Sequence, residues 1–129
     1  MEEKNEKIDF LLIEDNQDTI KFLIEYLKSR GYSIKFARRV KEGLEVLKDN
    51  LPSIILLDIL LPDKKGYEII SSIKSNPVFK NVLIYFLTAI PKQEVLKEVE
   101  RYNIEGVIEK PFNLDEIEPI FEILDKKPS

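Results

Sequence analysis

Pro52-Ser53-Ile54-Ile55-Leu56-Leu57-Asp58-Ile59-Leu60-Leu61-Pro62 is the stretch that decides the fold. A short apolar run, Ile54 to Leu57, bounded by prolines reads as a fully buried strand. Asp58 at its end is the anomaly. Burying an unpaired charge costs several kcal/mol, so the carboxylate must stand at the strand's exposed end beside a compensating group. A second apolar, β-branched run, Ile8 to Ile13, also ends in carboxylates, Glu14 and Asp15. The two strand ends are expected to meet and build one acidic site.

Outward from there, strand-like and helix-like segments alternate. Ile20, Leu23, Ile24 and Leu27 fall at helical spacing with Gly31 as a stop. Ser33 to Ala37 alternates like an edge strand; Val40, Leu44 and Leu47 mark a short helix; Tyr67 to Ile73 is a helix ending near Asn76-Pro77. Val82 to Leu87 is the fourth strand, Val95, Val99 and Tyr102 give a helix face, and Val107-Ile108 is a short fifth strand. Leu114 to Leu124 closes the chain as a helix, with Asn113 and Glu116 spaced as a capping box and Pro119 expected to bend or shorten it. The fold class expected is α/β: a doubly wound, flavodoxin-like, five-stranded parallel sheet of order 2-1-3-4-5 with five helices. Ligands in such sheets bind at the carboxyl ends of the strands, where the first and third diverge, which sets Asp15 beside Asp58.

At 129 residues the chain is expected to be one domain, with its core over about residues 7–125 and tails at 1–6 and 126–129. A net charge of -4 and no apolar run of membrane-spanning length argue against nucleic acid and membrane insertion. With no signal-peptide pattern, a cytoplasmic protein is expected. The absence of His and Cys leaves oxygen as the metal ligand, which favours Mg²⁺, Ca²⁺ or Mn²⁺.

Glu14-Asp15, Asp58, Thr88 and Lys110-Pro111 all fall at strand ends on one rim. Leu-Ile-Glu14-Asp15, Leu-Leu-Asp58-Ile-Leu-Leu-Pro62 with Gly66 beyond it, Leu-Thr88-Ala89 and Lys110-Pro111-Phe112, in that order, resemble the receiver domain of two-component response regulators over nearly the whole chain. The chemistry of the residues agrees. Close carboxylates repel by roughly 4 kcal/mol per pair at an effective dielectric of 20 and call for a divalent cation. Hard oxygen ligands suit Mg²⁺, which keeps positions for water and phosphate, and a carboxylate can act as a nucleophile toward phosphorus. The resemblance implies Asp58 as phosphoacceptor, Mg²⁺ (or Mn²⁺) on Asp15, Asp58, the Leu60 backbone carbonyl and, through water, Glu14, with Thr88 and Lys110 on the phosphoryl oxygens. It also implies a cis peptide before Pro111.

A bland reading of Glu14 to Asp18 is an N-capping cluster for the first helix, with Asp18 only a cap. Receivers usually carry Phe or Tyr where this chain has Val107, and Lys64 and Lys65 replace a common Met-Asp before Gly66. Leu60 and Ile90 are apolar at positions that govern water access in the family, so slow hydrolysis of the acyl phosphate is expected. The resemblance implies a signalling switch rather than an enzyme, fed by a sensor histidine kinase or histidine phosphotransfer protein. With no effector domain expected in the chain, output passes through a partner or homodimer on the helix-four, strand-five and helix-five face. The rival is a pseudo-receiver that binds protein without phosphorylation. A flavodoxin-like redox protein is disfavoured because Glu14-Asp15 would repel a cofactor phosphate. An aspartyl phosphatase would want an acid at Leu60.

Overall fold

The apolar runs from Ile8 to Ile13, Ile54 to Leu57 and Leu83 to Leu87 all lie in strands. In the computed structural model, which describes residues 6–59, 67–112 and 114–126, the order is β1 (Glu6–Ile13), α1 (Gln17–Ser29), β2 (Ile34–Ala37), α2 (Val40–Asp49), β3 (Asn50–Asp58), α3 (Tyr67–Lys74), β4 (Leu83–Thr88), α4 (Lys92–Tyr102), β5 (Gly106–Glu109) and α5 (Leu114–Lys126). The strands pair in parallel in the order β2-β1-β3-β4-β5, as expected from the alternation.

Helices bury one apolar stripe each, so a sheet between two helical layers has two cores. Ile20, Leu23 and Leu27 of α1 and Ile117, Ile120 and Phe121 of α5 pack on one face with Phe10, Leu12, Ile54 and Leu56. Val40 and Leu47 of α2, Ile69, Ile70 and Ile73 of α3 and Val95 of α4 pack on the other with Leu11, Ile13, Ile55, Leu57 and Phe86. At roughly 1.5–3 kcal/mol for each fully buried large apolar side chain, these two layers are the main favourable contribution to folding.

Several boundaries differ from the sequence reading, each for a physical reason. β3 begins at Asn50 and runs through Pro52, whereas the apolar pattern starts the strand only after that proline. Its pairing with β4 begins at Ile54, so the segment from Asn50 to Ser53 has one open side where a proline is tolerated. α5 continues past Pro119 to Lys126; that proline is exposed, so water can replace the lost ladder bond. A 3-10 turn at Pro77–Phe79 follows α3, with the Asn76 side chain accepting from Val78 N. Lys35 and Phe36 of β2 are both exposed rather than alternating, although the strand does lie at the edge. Gly31, with φ of 89°, ends the first helical segment as expected, its N–H donating to the Lys28 carbonyl at 3.0 Å. Asn113, half of the expected capping box, lies outside the described residues.

Register decides what the rim presents. Ile13 pairs with Leu57, so the next residues, Glu14 and Asp58, leave the sheet side by side. Asp58 in turn pairs with Leu87, one residue before Thr88. Thr88 pairs with Glu109, one residue before Lys110.

Candidate functional site

Polar residues that end strands inherit the burial of the sheet. Glu14, Asp58 and Thr88 are 0%, 6% and 1% exposed. Glu14 is fixed by its backbone, whose N–H donates to the Ala37 carbonyl at 2.9 Å. Asp15, one residue on, is exposed. One oxygen from each of Glu14, Asp15 and Asp58 lies within 4.8 Å of the others. Like charges that close in a half-buried setting are unfavourable without a cation among them.

Lys110 supplies part of that cation. Its peptide bond to Pro111 is cis, as expected, and its N–H donates to the Thr88 carbonyl at 2.7 Å. From that anchor Nζ stands 2.7 Å from Glu14 Oε1 and 3.5 Å from Asp58 Oδ2. One ammonium therefore bridges two of the three clustered carboxylates.

The donor set fits a hard divalent cation. Glu14 Oε2 accepts from the Asn16 N–H at 3.0 Å. Oε1 is buried and lies against the Lys110 ammonium at 2.7 Å. Three clustered carboxylates outnumber that one ammonium, so the rim keeps an excess of negative charge that a bound cation would offset. Carboxylates alone, with no His or Cys in the chain, suit Mg²⁺ or Mn²⁺ rather than zinc.

Other polar groups at the rim hold backbone. The Thr88 hydroxyl accepts from the Ile90 N–H at 2.9 Å. Asn16, rather than Asp18, caps α1, accepting from the Thr19 N–H at 2.9 Å; Asp18 sits in the first turn. Leu60, Lys64, Lys65 and Gly66 lie outside the described residues. Val107 is buried in the core under α2, α3 and α4. Beside Lys110, an open hollow of about 320 Å³ is lined by Asp18, Thr19, Phe22, Pro111 and Phe112, with Phe22 stacked on Phe112 at 6.3 Å between centroids.

Sequence reasoning missed Glu109. Its Oε1 accepts from the Lys92 N–H at 3.1 Å, at the start of α4. The cap position there is Pro91, with no capping side chain. A helix opening without Ser, Thr, Asp or Asn at its cap was the available signal that the acceptor comes from elsewhere.

With this geometry in hand, likeness to known proteins is informative. The response regulator receiver domain profile matches residues 10–122. The chain is 40% identical over 78 residues to a probable cyclic di-GMP phosphodiesterase of Vibrio cholerae, covering 60% of this chain and 18% of that protein. It is 27% identical over 117 residues to the transcriptional regulatory protein RprY of Bacteroides fragilis, covering 91% of this chain and 49% of that one. The chain thus spans less than half the length of either relative. A two-component response regulator from Legionella pneumophila superposes with a TM-score of 0.82 at 26% identity, over 93% of this chain and 99% of that one. A profile match across that span, a sheet of the same order and a carboxylate rim with its lysine agree, and the chain belongs to the response regulator receiver domain family.

Proposed function

We propose that the rim is a phospho-accepting switch in which Asp58 takes a phosphoryl group from a phosphohistidine. The observation that carries this reading is the meeting of three carboxylate oxygens within 4.8 Å, with Lys110 Nζ 3.5 Å from Asp58. Phosphoryl transfer asks a protein mainly for positioning and charge neutralisation, and this arrangement offers both. Glu14, Asp15 and Asp58 would hold Mg²⁺ or Mn²⁺, with the Leu60 carbonyl as the further ligand; the bound ion supplies charge neutralisation at the phosphoryl oxygens.

An Asp58 carboxylate oxygen forms the new O–P bond as the donor's N–P bond breaks. The imidazole leaves with that electron pair and takes a proton from water. Lys110 pairs with one phosphoryl oxygen. Thr88 donates its hydroxyl hydrogen to another while still accepting from Ile90, since a hydroxyl can do both. The aromatic-lined hollow beside Lys110 is the place where a histidine-bearing kinase or phosphotransfer protein would dock.

The phosphoryl group adds about -2 of charge and biases a two-state equilibrium that a partner or a second copy reads over α4, β5 and α5. The chain is a switch that acts on itself rather than an enzyme turning over a substrate. Among the described residues no helix is long and apolar enough to cross a membrane; a cytoplasmic site of action is part of the proposal. Buried Val107, where an aromatic is usual, favours a second reading, a pseudo-receiver that is never phosphorylated. Borohydride reduction after incubation with a phosphohistidine donor and Mg²⁺ decides between them. Recovery of homoserine in place of Asp58 in the tryptic peptide is expected; an unreduced Asp58 under every donor would leave the binding module.

A further inference from the structure

The first turn of α4 has no cap of its own, because Pro91 occupies the cap position. One side chain from the rim holds the residues leading into the helix, and another holds its first residue. Thr88 Oγ1 accepts from the Ile90 N–H at 2.9 Å, and Glu109 Oε1 accepts from the Lys92 N–H at 3.1 Å. Thr88 and Glu109 are register partners on β4 and β5. Glu109 is also the chain neighbour of Lys110, whose N–H is bonded to the Thr88 carbonyl at 2.7 Å. The lysine that touches Glu14 and Asp58 therefore sits one peptide from the carboxylate that starts α4.

α4 also packs on the core, with Val99 and Tyr102 partly buried there. Val95 is its buried residue, and Leu96 beside it is 48% exposed. That packing holds the helix along its length, while the orphan N–H groups of its first turn need acceptors from elsewhere. Val107, a β-branched residue with few rotamers, is poorly suited to carry a movement through a side-chain swing.

We propose that Glu109 is the positioning residue that couples the acidic rim to α4, so that a charge change at Asp58 moves α4 through a carboxylate cap on Lys92. The proposal rests on Asp58 being phosphorylated. A phosphoryl group there draws Lys110 away from Glu14 and the Thr88 hydroxyl toward itself. The end of β5 follows Lys110, and the carboxylate carries the first turn of α4 with it. An acceptor at residue 109 is what the device needs, and a negative charge on that acceptor adds to the cap.

The test compares the intact chain with Glu109→Ala and Glu109→Gln by amide NMR, before and after Mg²⁺ and acetyl phosphate. At rest, Glu109→Ala should speed hydrogen exchange at Lys92 by about fivefold, as loss of a cap worth roughly 1 kcal/mol requires. Unchanged β1 and β3 amide shifts serve as the check on folding. On phosphorylation, α4 shifts should be large in the wild type, mostly lost in Glu109→Ala and largely restored in Glu109→Gln, with labelling of Asp58 equal in all three. Equal labelling with an undiminished α4 response in Glu109→Ala overturns the coupling alone. Absence of labelling in the wild type with acetyl phosphate and with phosphohistidine donors overturns the phosphoacceptor reading and this proposal with it.

Discussion

Lys110 Nζ lies 2.7 Å from Glu14 Oε1 but 3.5 Å from Asp58 Oδ2. The rim's cation is thus held nearer a fully buried carboxylate than the one proposed to accept the phosphoryl group. Breaking a buried pair on one side leaves an uncompensated charge, whereas removing a carboxylate from an acidic cluster relieves repulsion. Without divalent metal, Lys110→Ala should therefore destabilise the fold by about 1–3 kcal/mol, below the fully buried range because Lys110 is part-exposed. Asp58→Asn should stabilise it slightly. Urea melts in EDTA measure both, and a more stable Lys110→Ala would show that Glu14 is compensated by some other group.

Metal should recover what repulsion takes away. At 100 times its Kd, Mg²⁺ adds about 2.7 kcal/mol to a site that the unfolded chain lacks. For a domain of this size that is a Tm increase on the order of 10 °C. Asp15→Asn should abolish most of the increase, because Asp15 is the exposed member of the three-carboxylate group. Differential scanning calorimetry with and without Mg²⁺ checks this; an unchanged increase in Asp15→Asn would remove that residue from the ligand set.

Gly43 lies where α2 crosses β1, and a Cβ there would stand 2.7 Å from Ile13 Cδ1. Helix propensity favours Gly43→Ala by about 1 kcal/mol, and crowding opposes it by about 1–3. Gly43→Ala should come out destabilising by about 1 kcal/mol overall. In an Ile13→Val background, which lacks Cδ1, the same change should be neutral or stabilising. A double-mutant cycle with no coupling would mean that α2 shifts instead.

Tyr85 pairs with Gly106 in the sheet. Burial, and secondarily the Glu105 carboxylate, hold its phenol above the ordinary pKa of 10.0. A raised folded-state pKa means that the native protein keeps a proton the unfolded chain releases. The associated stability is complete below pH 10.0 and is lost as pH rises through the folded-state value. Tyr85→Phe should therefore flatten the fall of stability above that pH. Urea midpoints taken across the alkaline range would contradict this if both proteins fell with the same slope.

Much of this was legible in the chain because strands buried between helical layers write themselves as apolar runs. A single carboxylate there also reads as a cap or turn residue, but Glu14, Asp58, Thr88 and Lys110 at the ends of four strands on one rim could be assembled into a site together. What escaped was set by tertiary context. Pro52 looks like a stop, yet it sits in β3 because β4 has not yet begun beside it. Pro119 looks like a break, yet an exposed helix face tolerates it. Gly43 carries no local signal of its contact with Ile13. Glu109 could not be told from any solvated acid until the sheet set it against Lys92, 17 residues away.

The most direct test is intact-mass spectrometry of the wild type and Asp58→Asn after incubation with acetyl phosphate, with Mg²⁺ or with EDTA. The result expected is a gain of one phosphoryl group in the wild type with Mg²⁺, lost in EDTA and in the variant. Equal labelling of Asp58→Asn, or labelling indifferent to EDTA, would contradict a metal-assisted aspartyl phosphate at this rim.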